Sequence, residues 1–307
     1  MVIFSMAVKK TLRSVTLLLA LITGFLISYR FGQAQTSSQP KSLINPHHQL
    51  TQSNIAIEQL TMLSLTGPIQ TTIEYSDHES IDISVPEDYI PFLKIEQKPS
   101  TLHIQYSPPS QEETLQEQKH AVIHLKTPNN LKRLYTYKEA KTTINNIVSI
   151  SHIGAAGSAQ IIYHSDYPQI IPLSLHMNNS SDITLDGKRL NLAHINTETV
   201  AKVHAKGIDN EEVNINAKES SSVTAEGYTH FTYISASNNS KVDIDGLTSS
   251  QTSIYTRDYA NIGIGPTQYI TLYAKGDSKT FNPHNQSISS YMSKGSTISE
   301  SQFDALH

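Results

Sequence analysis

The chain of 307 residues contains no cysteine and no tryptophan. Without cysteine it can form no disulfide, thiolate metal site, cysteine nucleophile or lipid-modified N-terminal cysteine. It also lacks a surplus of charge, since 23 basic and 27 acidic residues leave a formal net charge of −4. That balance gives no electrostatic case for nucleic acid or an anionic membrane as a partner. Long hydrophobic runs are scarce as well. The run VTLLLALITGFLIS at residues 15–28 follows Lys9, Lys10 and Arg13 and is 14 residues long, short of the roughly 18 or more that a membrane-crossing helix needs. It fits the apolar core of a secretory signal, and GQA ending at Ala34 offers small residues for cleavage. The alternative is an uncleaved anchor, with Arg30 just after the run. Either way the body is expected outside the cytoplasm, in the periplasm, on the outer cell surface or secreted, and any membrane contact is expected through residues 1–34 alone. Export without cysteine points to a bacterial envelope.

What is present favours strands. Ser, Thr, Asn and Ile are plentiful, which suits turn-rich β-structure better than helix. Residues 35–53, QTSSQPKSLINPHHQLTQS, read as a polar linker. His47 and His48 within it are an adjacent pair without further nearby ligands and read as solvated side chains. Over residues 54–128, IQTTIEYSD, SIDISVPE, FLKIEQKPS, TLHIQYSPP and HAVIHLKTP alternate apolar and polar residues between turn formers, which predicts strands. The insert SPPSQEETLQEQKH at 107–120 reads as an exposed loop.

From residue 129 to 282 the chain repeats. Aligned on Leu175, Ile195, Ile215, Ile234, Ile254 and Leu272, successive gaps are 20, 20, 19, 20 and 18. Eight residues after each anchor lie Ile183, Val203, Val223, Val242, Ile262 and Thr280. Two residues before each lie Leu173, Ala193, Val213, Thr232, Thr252 and Ile270, and Gly187, Gly207, Gly227 and Gly246 stand twelve after four of them. Ile153 with Ile161, and Thr136 with Ile144, extend the series upstream. Near-constant periods of about 20 residues are the mark of stacked repeats. Each unit cannot bury its apolar face alone, but stacked on copies of itself it aligns every column into a ladder with neighbours roughly 4.8 Å apart. The expected fold is therefore all-β, a single-stranded parallel β-helix or β-solenoid with rungs of about 20 residues. The usual preference of parallel connections makes it right-handed. Polar stretches such as NNSSD, KESSS and NNSK would form one corner, and the glycines would supply positive φ at the other. Residues 54–128 are expected to form an irregular first part or a cap, and residues 283–307 a polar C-terminal tail.

The layout LTGPIQTTIEYSDHESIDISVPEDYIPFLKIEQKPSTLHIQYSPP, then HAVIHLKTPNNLKRLYTY, then units like SSDITLDG, resembles the putative auto-transporter adhesin head family with the GIN domain. The resemblance covers residues 54–282 and rests on Gly67, TLHI at 101–104 and TPNNLKRL at 127–134. The corners differ from the Ser-Gly-Ser-Gly pattern of that family. The resemblance implies a β-helix-like fold and a surface or adhesive role on an exported bacterial protein, and it carries no catalytic residues.

Motifs for a hydrolase elbow, a zinc protease, a phosphate loop and a dinucleotide site are all missing. His176, His194 and His204 fall at different repeat offsets and do not stack into one site, so no metal or cofactor is expected. Four residues past the anchors the corner row reads Asn179, Thr199, Glu219, Asn238 and Asp258, and beside it lies a row containing Lys218 and Arg257. Glu219 and Asp258 stand two rungs, hence roughly 9.5 Å, apart. That matches the upper edge of the roughly 6.5–9.5 Å between the carboxylates of inverting glycosidases. Cleavage or binding of polysaccharide with these two as acid and base is thus one reading, and a purely structural envelope role is another. Any polar corner places carboxylates at some multiple of the rung spacing, so the preferred reading is non-enzymatic. On it, a repetitive polar surface meets a glycan or a cell-surface protein. Tyr255 and Tyr273 share an offset of one past their anchors and should be neighbours outside the coil; with Lys218 and Arg257 they are the expected contact residues.

Overall fold

The computed structural model describes residues 59–109 and 120–300, so the expectations for residues 1–53, for most of the 107–120 insert and for residues 301–307 lie outside the described residues. Its repeating feature is one corner. The residue four past the anchor has a positive φ in nine rungs: Gly67, Lys138, Gly157, Asn179, Thr199, Glu219, Asn238, Asp258 and Gly276. Ser180, Ser220, Asn239 and Tyr259, one residue on, are left-handed too. Two consecutive positive φ values make a type I′ turn, which is closed by a bond between its first carbonyl and its fourth N–H. Accordingly the Ser221 N–H donates to the Lys218 carbonyl at 3.1 Å, Ser240 to Ser237 at 3.3 Å and Ala260 to Arg257 at 3.3 Å. The inside of this turn holds only small side chains. Ala140, Ala159, Ser181, Ala201, Ser221, Ser240, Ala260 and Ser278 follow one another rung by rung, each at most 1% exposed.

The turn joins two strands per rung, and each strand pairs in parallel with its counterparts above and below. About 8 turns result, with rungs about 20 residues apart. The anchor column is continuous from Leu102 through Leu63, Leu134, Ile153, Leu175, Ile195, Ile215, Ile234, Ile254 and Leu272. All of these are at most 3% exposed. A second column runs through Ile123, Thr71, Thr142, Ile161, Ile183, Val203, Val223, Val242, Ile262 and Thr280. One hydrophobic core therefore fills the coil between the two ladders.

The register corrects three details. Upstream, Leu134 and Thr142 stand in the anchor columns; Thr136 and Ile144 lie two residues further along both strands, facing Ala155 and Tyr163. Leu192, not Ala193, fills the column two before the anchor, because a register shift follows Leu173. Of the four glycines expected at the second corner, only Gly207 and Gly227 have positive φ. Gly207 is the extra residue of a bulge: Lys206 pairs with Glu226 and Ile208 with Gly227. A Cβ on Gly207 would fall 1.7 Å from the Gly187 carbonyl oxygen. This second corner absorbs the variation in period, whereas the type I′ corner keeps its spacing.

The N-terminal part supplies both regular rungs and a cap. Met62–Thr66 and Ile69–Tyr75 form a rung enclosed on both sides: Thr101–Tyr106 and Ala121–Thr127 pair with it from outside, Arg133–Tyr137 and Lys141–Asn145 from inside. Ser80–Ser84 and Leu93–Lys98 then close the outer edges in antiparallel pairing. All five strands expected over this region are present. Met62–Thr66 was not singled out from the sequence, because MLSLT offers only two strong core residues. At the other end, Ile288–Met292 and Thr297–Ser299 add a further rung within the polar tail.

Candidate functional site

Alternation along the first strand of each rung turns the residues flanking the anchor outward. Over the seven rungs from Leu173–Asn178 to Ile288–Met292 these residues make two parallel rows. The row before the anchor ends His194, Asn214, Tyr233, Ser253, Thr271 and Ser289; the row after it ends Asn196, Asn216, Ser235, Tyr255, Tyr273 and Tyr291. Within these rows lies a shallow groove of about 270 Å³, lined by Asn196, Asn214, Asn216, Tyr233, Ser235, Ser253, Tyr255 and Tyr273 over the anchors Ile215, Ile234 and Ile254.

The rows are tied together laterally. Tyr255 and Tyr273 are register partners, as expected from their common offset. The rings of Tyr273 and Tyr291 stack with centroids 5.0 Å apart and planes 6° from parallel. The Asn216 side-chain amide reaches Asn196 Oδ1 at 3.4 Å, and that of Asn214 donates to Glu212 Oε1 at 2.6 Å. Tyr291 and the asparagines were missed in the sequence. Tyr291 follows Tyr273 by 18 residues, the period of the preceding rung, but it stood inside the stretch read as a tail.

Lys218 and Arg257 border this face at the corner. The Lys218 ammonium lies 3.3 Å from Glu198 Oε1, and Arg257 Nε lies 3.7 Å from Asp258 Oδ2. Glu219 and Asp258 are exposed on the convex corner, outside the groove. The chain stacks there through backbone bonds, with the Ser220 N–H donating to the Asn238 carbonyl at 2.9 Å and the Asn239 N–H to that of Asp258 at 3.1 Å. Both carboxylates thus sit at positions whose backbone the turn dictates.

The other outward face differs in charge. It carries Asp182, Lys202, Lys241, Asp243 and Lys279 on its rungs. Burial pushes the Asp243 carboxyl above its ordinary value; the hydrogen bond it accepts from the Asp245 N–H at 3.1 Å works against that, and the charges of Asp245 and Glu226 work with it. His284 Nε2 lies 2.7 Å from Asp245 Oδ1. At the second corner Ser250 Oγ and Tyr228 Oη each stand 3.4 Å from His230 Nδ1, with Glu211 3.9 Å from its Nε2. These are long contacts between exposed side chains, worth little individually. Among the described residues no group of three or more His, Cys, Asp or Glu is arranged to hold a metal ion, and no helix is long and apolar enough to cross a membrane.

Comparison with known proteins matches this architecture. The family described as "Putative auto-transporter adhesin, head GIN domain" matches residues 59–218 and 174–282. A crystal structure of a protein from Parabacteroides distasonis, described as a putative lipid binding protein, superposes with a TM-score of 0.54 at 15% identity; the match covers 82% of this chain and 97% of that one. A putative adhesin from Parabacteroides merdae gives a TM-score of 0.50 at 14% identity over 83% of this chain and 98% of that one. At such identities the likeness concerns the fold. No curated protein matches the chain in sequence.

Proposed function

The chain belongs to the putative auto-transporter adhesin head family, GIN domain, and from that premise we propose that it is a non-catalytic adhesive protein of the bacterial cell surface. Its contact region is the face formed by the first strands of the C-terminal rungs. The observation that carries this reading is the pair of outward rows, seven rungs long, on which Asn, Ser and Tyr recur at the same height. A repeated row offers a ligand many weak contacts at once, and their joint effect supplies affinity without a deep pocket. Tyrosine suits such a surface, since it provides area and a polar tip at low entropy cost.

On this reading Tyr255 and Tyr273 lie at the centre of the contact and Lys218 and Arg257 at its rim. Export fits the N-terminal apolar run and the absence of cysteine. The test is retention of cells on a surface coated with the full-length chain. Wild type should retain them, and the double variant Tyr255→Ala, Tyr273→Ala should lose most of that retention with its thermal transition intact. Equal retention by both would exclude this face as the contact. New reducing ends released from a glycan, lost on joint replacement of Glu219 and Asp258, would overturn the non-catalytic part.

A further inference from the structure

Charge is distributed unequally over the coil. The two central rows of the first-strand face hold no Lys, Arg, Asp or Glu from Ser174 to Tyr291, although the chain has 50 such residues (23 basic plus 27 acidic). The opposite face has charges on most rungs over the same length. At the rim of these rows Lys218 is occupied by Glu198 and Arg257 lies beside Asp258, Glu212 accepts from the Asn214 amide at 2.6 Å, and Lys275 stands exposed beyond Tyr273.

From this pattern we propose that the ligand of the face is an uncharged polysaccharide running along the coil axis, bound through the Asn amides and Tyr hydroxyls. The proposal rests on the adhesive reading of this face and gives its ligand a chemical class. Three properties lead to it. First, a carboxylate or ammonium brought against the central rows would lose water and find no opposite charge within the rows themselves, the charges lying at their rim, which is costly; a neutral chain incurs no such cost. Second, amides and phenolic hydroxyls both donate and accept hydrogen bonds, as sugar hydroxyls do. Third, the rows repeat at the strand spacing of roughly 4.8 Å. A linear polymer presents the same groups at every step, whereas a folded protein surface does not. The tyrosines take part through their edges: Tyr273 and Tyr291 already cover one another's faces at 5.0 Å, so their hydroxyls, not their ring planes, meet the ligand.

The test measures binding of the full-length chain to neutral polymers (a glucan, a mannan and a xylan) and to uronate polymers (alginate and polygalacturonate), at low and high salt. Binding to at least one neutral polymer, unaffected by salt, is the expected result. Ser253→Asp and the more exposed Ser235→Glu should each weaken it roughly tenfold or more by placing an unpaired charge under the ligand. Lys202→Ser on the opposite face should leave it unchanged. The inference is overturned if binding is confined to uronate polymers, if salt abolishes it, or if the added charges have no effect. It is also overturned, with the adhesive reading intact, if retained cells are released by protease treatment of their surface but not by periodate. Failure of the wild-type chain to retain cells at all would remove both.

Discussion

Glu219 shows how a single side chain can be placed by the backbone rather than by chemistry. Its φ of 53° is left-handed, a region that costs an ordinary residue roughly 1 kcal/mol and that Asn or Gly adopts more readily. Asn238 fills the equivalent position in the next rung, Asn179 two rungs earlier and Gly276 three rungs later. Glu219→Asn should therefore raise stability by about 0.5–1 kcal/mol, read from the urea midpoint; a fall would mean that the carboxylate has a partner the turn does not explain. His152 is set by its surroundings in a different way. Burial lowers its pKa, and the nearby His176 and Arg133 lower it further, while its ring lies 5.4 Å from that of Tyr135. The folded state thus favours the neutral ring. Its contribution is complete above the ordinary value of about 6.5 and is lost as pH falls below that towards the lower folded value. His152→Gln should flatten the decline of stability below about pH 6.5, measured by denaturation at stepped pH. Among individual residues the aliphatic anchors were legible, because one ladder keeps Leu or Ile on every rung up to Leu272. The Ala and Ser column from Ala140 to Ser278 was not, since small residues occur everywhere and only the turn reveals why these must be small.

At the scale of the element, the type I′ corner is the part least able to change. Ser240 sits inside it with no exposure, so Ser240→Val should overpack the turn and cost about 1–3 kcal/mol. Ser235→Val, five residues away on the outer face, should change stability by no more than about 0.5 kcal/mol. Equal effects in thermal unfolding would contradict the tight corner. The strands themselves were readable from alternation and repetition, including the pairing of Tyr255 with Tyr273. Bulges were not readable. The gap of 19 between Ile215 and Ile234 is the visible trace of the extra Gly207 in the rung before, and the shift after Leu173 leaves no trace in composition at all. For the same reason the outer face was only half legible: offsets counted from anchors found two tyrosines, while Tyr291 required knowing that Ser290 occupies an anchor position.

For the whole molecule the two ends are unlike. The N-terminal edges are covered by Ser80–Ser84 and Leu93–Lys98, a protection against edge-to-edge association. The last rung is thin and largely exposed, with Ser290 in place of the aliphatic anchor. Amide exchange should therefore be slowest in the Leu63 and Leu134 rungs and fastest in Ile288–Met292 and Thr297–Ser299. Loosening the cap through Ile81→Ala with Ile83→Ala should produce soluble oligomers visible by light scattering, and a strictly monomeric variant would show that the edges need no cover.

The position of that cap also gives the coil a direction in time. Every strand of the closed end comes from residues 59–127, the part of the described chain made first; the rung at 133–145 lies on Met62–Tyr75, and each rung after it lies directly on the one before. Partners in successive rungs are only about 20 residues apart, so loop closure at each step is cheap. The closed end is thus a seed and the exposed last rung a growing tip: winding can follow synthesis, each new turn finding its template already in place.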